Sequence, residues 1–236
     1  MKNALDKTYE DATCALYDLF DGATIMSGGF GLSGGAENCI TAIAQSGKKD
    51  LTIISNNCGN QGKGLAVLLH NRQVKKVICS FVGGNPDLEE LMLKNAIDVE
   101  LNPQGTLAER IRSGGAGIGG FFTPTGVGTV VAQGKEHRTL GGKEMIFETA
   151  LHADFAILRA HVADTFGNLR FYRTSQNFCR AMATAAHITV VEAEKIVPFG
   201  ELDPDDIHLP GIFVSRLFLG RNHQNVIEHL KIRQGR

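Results

Sequence analysis

Four short segments of neutral, hydrogen-bonding residues follow the four apolar runs in the first half of the chain. Gly28-Gly29-Phe30-Gly31-Leu32-Ser33-Gly34 follows the first run and Asn56-Asn57 the second; Gly83-Gly84-Asn85 follows the third and Pro103-Gln104-Gly105 the fourth. In open α/β sheets, ligands bind beyond the carboxyl ends of the strands. Glycine and asparagine also make ordinary turns, and any one segment reads equally well that way. Taken together, four uncharged strand ends describe a site lined with backbone amides and neutral donors. Such a lining suits a carbonyl or carboxylate that gains negative charge during reaction.

The first segment also fits the dinucleotide fingerprint, as Gly29-x-Gly31-x-x-Gly34, with a strand expected before it and a helix after. A NAD-binding oxidoreductase would then need an Asp or Glu at the end of the second strand to hold the ribose. That strand ends instead in Ser55, Asn56 and Asn57, and the nearest acid, Asp50, lies at its opposite end. Gly115-x-Gly117-x-x-Gly120 repeats the spacing but follows a helix and precedes Phe121-Phe122-Thr123-Pro124, so it fails on context. The 8 histidines show no H-x-x-x-H or H-E-x-x-H spacing, and no metal is expected. His152 and His161 flank a strand and read as structural. Cys58 lies beside Asn57 without an identifiable activating base and reads as a small filler. Arg110 and Arg112 share a helix and read as solvated or at an interface.

The elements that must hold these segments follow from periodicity. Tyr9 to Phe20 has helical apolar spacing at Ala12, Ala15, Leu16 and Leu19. Ala23 to Ser27, Leu51 to Ser55, Val74 to Val82 and Ile97 to Leu101 read as strands. Between them, Glu37 to Gln45, Gly64 to His70 and Asp87 to Asn95 read as helices. Thr106 and Glu109 form a capping-box pattern that predicts a helix starting there and running to about Ser113. Gly114 to Gly128 is too irregular for one element. His137 to Leu140 and Lys143 to Glu148 flank Gly141-Gly142, a hairpin with a primed turn. Asp154 to Ala160 and His187 to Glu192 read as further core strands. Strands alternating with helices predict an α/β fold, a mostly parallel mixed sheet flanked by helices, with a small added β subregion. One domain over residues 1–236 is the economical organisation.

Composition agrees. The chain has 236 residues, a formal net charge of -1 and a pI near 6.7. Its near-neutral balance argues against nucleic-acid binding, which needs clustered Lys and Arg. The most basic stretch, Arg221 to Arg236, is diluted by Glu228. The 5 cysteines form no C-x-x-C pair and are expected as free thiols in a reducing cytosol. The first ten residues lack an apolar core, and no run reaches the ~20 residues of a membrane span, so a cytoplasmic protein is expected.

Several of these residues also carry a resemblance. The run from Asp21 through Gly28-Gly29-Phe30 to Gly34 resembles the N-terminal signature of family I CoA-transferases. So do Ser55 to Gly59, Pro103 to Arg112, Gly114 to Gly117, Phe122 to Gly126, Gly167 to Leu169, Asn177-Phe178 and Glu192. Asp206 to Gly211 and Ile227 to Arg233 are most similar to the succinyl-CoA:3-ketoacid branch. Ala36 stands where the signature usually has proline. The resemblance covers nearly the whole chain and implies the CoA-transferase (NagB/RpiA-like) fold.

It further implies an A subunit that transfers CoA by ping-pong glutamyl-CoA chemistry, from succinyl-CoA to acetoacetate or a related acid. The nucleophilic glutamate is expected on a B subunit, in a Ser-Glu-Asn-Gly motif that this sequence lacks. Glu37-Asn38 matches instead the Glu-Asn that follows the glycine loop in A halves. By the same resemblance, Gln104 is the donor to the thioester oxygen and Gly28 to Gly34 is the segment assigned to CoA binding, although its glycines suit the shaping of the catalytic pocket equally well. Asn56 is a contact to carboxylate or thioester. Coenzyme A enters as a substrate moiety with no tightly bound cofactor, and an A2B2 heterotetramer is expected. A non-catalytic scaffold role is the remaining alternative.

Overall fold

The computed structural model describes residues 5–60 and 62–223. Part of the succinyl-CoA:3-ketoacid resemblance, Ile227 to Arg233, lies outside the described residues. Strands β1 (Thr24–Ser27), β2 (Leu51–Ile54), β3 (Val74–Cys79) and β4 (Asp98–Leu101) alternate with helices α1 (Ala12–Ala15), α2 (Glu37–Ser46), α3 (Ala66–His70) and α4 (Pro86–Leu93). Helix α5 (Gln104–Gly115) leads to β5 (Gly120–Thr123), β6 (His137–Leu140) and β7 (Lys143–Thr149). The chain then returns through β8 (Ala153–Asp164), β9 (Leu169–Arg170), α6 (Cys179–Ala185), β10 (Ala186–Val197) and β11 (Arg216–Leu219). The large sheet has the order β11-β10-β8-β1-β2-β3-β4, all parallel along that path, with β9 antiparallel on β8.

The inner strands of this sheet are buried on both faces, which is why they read as near-continuous apolar runs, whereas the edge strand β4 (Asp98–Leu101) is exposed or half-buried throughout. Neighbouring residues alternate between two cores. Ile25, Ile53, Val77, Ile157 and Val190 pack with α1 to α4 on one side. Met26, Ile54, Ile78, Leu158 and Val191 pack with α5 and α6 on the other. The added subregion is the antiparallel sheet β5-β7-β6, and its β6–β7 turn has Gly141 and Gly142 at φ 57° and 75°, as a primed turn requires.

Several expected boundaries move, each for a tertiary reason. The first helix stops at Ala15 rather than Phe20. Arg216 donates to Ala15 O at 2.8 Å and to both oxygens of Asp18 at 2.7 and 2.6 Å, so the carbonyl that would continue the helix is already taken. Thr106 caps nothing. Pro103, at φ -54° and ψ 139°, starts α5 at Gln104, leaving Thr106 buried in the first turn while Glu109 pairs with Arg112 at 2.7 Å. The glycine stretch after Ser113 is also more ordered than expected. A side chain on Gly114 or Gly115 would lie 2.0 Å from Leu151 O or Thr184 Oγ1, so these glycines let α5 close on α6 and on the segment just before β8.

Arg110 is buried, not solvated. It donates to Glu100 at 2.6 Å, Asn102 at 2.5 Å and Thr149 O at 2.7 Å, tying the edge of the large sheet to β7. Burial pushes the Glu100 carboxyl up, but hydrogen bonds from Arg110 and Lys76 and the charges behind them outweigh it and hold the group at about 2. A carboxyl depressed from its ordinary value of 4.5 contributes stability that is complete above that pH and is lost as pH falls towards 2. The urea midpoint should therefore fall across this window. Glu100→Gln should lower it at pH 7 and flatten the acid limb; an unchanged acid limb would remove Glu100 from the account.

Candidate active site

The strand order reverses between β1 and β8, because β2 to β4 build outward on one side of β1 and β8, β10 and β11 on the other. Ligand crevices form at such switch points. The carboxyl ends of β1 to β4 open there on a cavity of about 440 Å³. Its walls are Phe30 to Ser33 after β1, Asn56 and Asn57 after β2, Ser80 and Phe81 after β3, and Gln104 after β4. Of the expected site residues, Phe30, Gly31, Leu32, Ser33, Asn56 and Gln104 thus converge. Gly28 borders a second cavity of about 240 Å³ behind the loop. Gly29 and Gly34 face the segment around Asn177.

The glycine loop is a miniature hairpin. Phe30 and Ser33 exchange backbone hydrogen bonds at 3.0 and 3.1 Å around Gly31-Leu32, and Gly31 alone of the two tip residues has positive φ, 59°. Two asparagines clamp it from opposite sides. Asn177 Oδ1 accepts from Gly29 N–H at 3.0 Å, and Asn56 Oδ1 accepts from Gly31 N–H at 3.0 Å. The Gly28 amide donates to Ile157 O. Most of the amides expected to cradle a ligand are therefore bonded within the protein, and the loop offers shape rather than an anion nest. Its exposed face is Phe30, stacked on Phe178 with ring centroids 6.4 Å apart. Ala36, in the usual proline position, has φ -83°, near the value a proline imposes, so the turn keeps its course.

The dinucleotide fingerprint fails in the same place. A pyrophosphate would need the free amides at the start of α2. Glu192, fully buried on β10, already accepts there from Asn38 N at 2.7 Å and Cys39 N at 3.2 Å. The helix dipole stabilises this resident carboxylate, and a second anion would be held against it.

Gln104 is the first residue of α5, whose N-terminus carries no side-chain cap. Its Oε1 accepts from Asn56 Nδ2 at 2.9 Å and from the Ser80 hydroxyl. Among the described residues, nothing accepts from Gln104 Nε2, which leaves its two hydrogens for the cavity. Asn56 is itself engaged at both polar atoms: its oxygen holds Gly31, and its nitrogen donates to Ser80 Oγ at 3.1 Å as well as to Gln104. Glu37 opens on the second cavity, 3.9 Å from Arg159 Nη1, and does not line the cavity of Gln104. Burial pushes the Cys58 thiol well up, as a packing role requires. His161, within β8, meets Glu194 at 2.8 Å, and His152 is exposed just before that strand. Among the described residues, no three His, Cys, Asp or Glu side chains gather as a metal site would need.

The family model for coenzyme A transferase matches residues 9–220. The chain belongs to this transferase family. A Helicobacter pylori J99 protein, named as the A subunit of succinyl-CoA:3-ketoacid coenzyme A transferase, is 50% identical over 232 residues, spanning 98% of this chain and 100% of that one. A Bacillus subtilis protein with the same name, prefixed "probable", is 52% identical over 216 residues, spanning 92% and 91%. The acyl-CoA transferase YdiF of Escherichia coli O157:H7, solved as a thioester complex with CoA, matches at TM-score 0.84 and 24% identity over 94% of this chain and 48% of that one. That likeness shows a common fold. No helix among the described residues is long and apolar enough to cross a membrane.

Two polar residues of this coenzyme A transferase chain are not marked as functional by their sequence context. Ser80 is the first polar residue after Val77-Ile78-Cys79, but the apolar Phe81 and Val82 extend the expected strand past it and point to Gly83 to Asn85 as its end. Asn85 instead caps α4, accepting from Leu88 N at 3.2 Å. Asn177 lies 148 residues from the glycine it holds, and no local pattern could reveal the pairing. Its replacement, Asn177→Ala, leaves the Gly29 and Phe178 amides without their acceptor and should cost roughly 1–3 kcal/mol in urea unfolding. An unchanged midpoint would show that the hairpin stands without this clamp.

Proposed function

We propose that this chain is the A subunit of a heteromeric transferase that moves CoA from succinyl-CoA to acetoacetate or a related short-chain acid. The observation that carries this reading is the posture of Gln104. Its amide hydrogens face a cavity whose walls, among the described residues, hold no carboxylate, imidazole or thiol, and the uncapped start of α5 adds a favourable dipole there. Such a wall can stabilise an oxyanion but offers no activated nucleophile. The reading takes the nucleophile from a partner, and half-identical relatives that are themselves named as one subunit of a transferase support it.

In the proposed reaction, a glutamate carboxylate of the partner attacks the thioester carbonyl, whose oxygen becomes negative and accepts from Gln104 Nε2. Collapse breaks the C–S bond and gives a mixed anhydride and CoA thiolate. The thiolate attacks the glutamyl carbonyl, releasing the first acid as its carboxylate and leaving a glutamyl-CoA thioester. An incoming acid reverses the sequence and takes the CoA. The glycine hairpin shapes the cavity, with Phe30 and Leu32 as the apolar surface at its mouth. The assembly proposed is an A2B2 heterotetramer in the cytoplasm.

The purified chain should exchange no CoA alone, and adding its B partner should restore transfer from succinyl-CoA to acetoacetate. In that complex Gln104→Ala should lower kcat by roughly 10²–10³, the range for one oxyanion donor. An unchanged rate would remove Gln104 from the mechanism. A complex inactive with every acyl-CoA would favour a scaffold.

A further inference from the structure

The Gln104 side chain has two faces of similar shape, and only one of them can donate. Nothing in the helix that carries it selects that face. The selection comes from a chain of hydrogen bonds that starts at a group of fixed polarity. The Gly31 N–H can only donate, so Asn56 must present its oxygen to it, at 3.0 Å. That turns Asn56 Nδ2 towards Gln104 and Ser80, at 2.9 and 3.1 Å. Gln104 must then present its oxygen to Asn56. The Ser80 hydroxyl, accepting from Asn56 through one lone pair, donates its hydrogen to the same Gln104 oxygen. An alternative acceptor for that hydrogen, Asn56 O at 3.1 Å, lies beside it, but sending the hydrogen there would leave the Ser80 and Gln104 oxygens facing each other with no hydrogen between them. Both lone pairs of Oε1 are thereby filled, and a flipped amide would set NH₂ against NH₂.

We propose that Ser80, acting together with Asn56, is a positioning residue that locks the Gln104 amide with its donors towards the reacting oxygen. Ser80 is half-buried at the end of β3, and Asn56 is nearly fully buried with every side-chain polar atom engaged inside the protein. Their effect on the reaction passes through Gln104. This rests on the reading of Gln104 as the oxyanion donor, and it assigns Asn56 to orienting that donor instead of touching the substrate.

The test is a double-mutant cycle in the complex with the B partner, with kcat and KM measured for CoA transfer. Ser80→Ala removes one of the two hydrogen bonds to the Gln104 oxygen and should lower kcat about fivefold with KM little changed. Asn56→Asp can still accept from Gly31 but cannot donate, and it should lower kcat further by turning the Gln104 amide inward. The deciding arm is Ser80→Ala in a Gln104→Ala background, where no further loss of kcat is expected. A loss that persists there, or wild-type kcat in Ser80→Ala alone, would overturn the positioning role. If Gln104→Ala alone leaves kcat unchanged, the reading of Gln104 itself has failed, and the positioning role falls with it.

Discussion

One hydrogen bond, from the amide of Gly31 to the side-chain oxygen of Asn56, sets much of the site's character. It joins the tip of the loop after β1 to the end of β2, which the parallel register Met26↔Ile54 brings side by side. Because a backbone amide has one polarity, the bond also decides which way two side-chain amides point. The same contact consumes the donor that a glycine-rich loop would otherwise offer to phosphate. Rigidity of the loop and direction of the donor are thus two consequences of one interaction. The donor group is oriented before any ligand arrives, and pre-orientation is what makes such dipoles effective against developing charge.

Helix N-termini divide the site in a complementary way. The start of α2 is closed by the carboxylate of Glu192, so its partial charge is neutralised inside the protein. The start of α5 has no such cap and begins at the cavity wall with Gln104. Negative charge is therefore favoured at the end of β4, while the amides at the start of α2 are already taken. Arg110, further along α5, fixes that helix to Glu100 and Asn102 on one side and to Thr149 on the other. The added three-stranded sheet thereby shares a buried cation with the helix that carries the donor.

Features set by local chemistry were legible in the amino-acid order. The core strands through Ile25-Met26 and Val77-Ile78, the primed turn at Gly141-Gly142 and the convergence of the β1, β2 and β4 ends all follow from residue type and spacing. Features set by distant partners were not legible. The first helix is cut short by Arg216, 201 residues from the carbonyl it takes. The capping pattern at Thr106 lost to the conformation of Pro103, and the apparent surface cation Arg110 was buried by a sheet edge whose position no local pattern specifies. Gln104 stood out as an uncharged amide at a strand end, and its family resemblance supplied the role now proposed. Its orientation could not be read, because the residues that choose it lie 48 and 24 positions away.

The central claim is that this chain provides an oriented donor wall, while the group that bonds to the acyl carbon belongs to its partner. The most direct test is to incubate the complex with succinyl-CoA without an acceptor acid, then locate covalently bound CoA by mass spectrometry of the separated subunits. The account predicts a CoA thioester on a glutamate of the partner and none on this chain. A CoA adduct on any residue of this chain would contradict it.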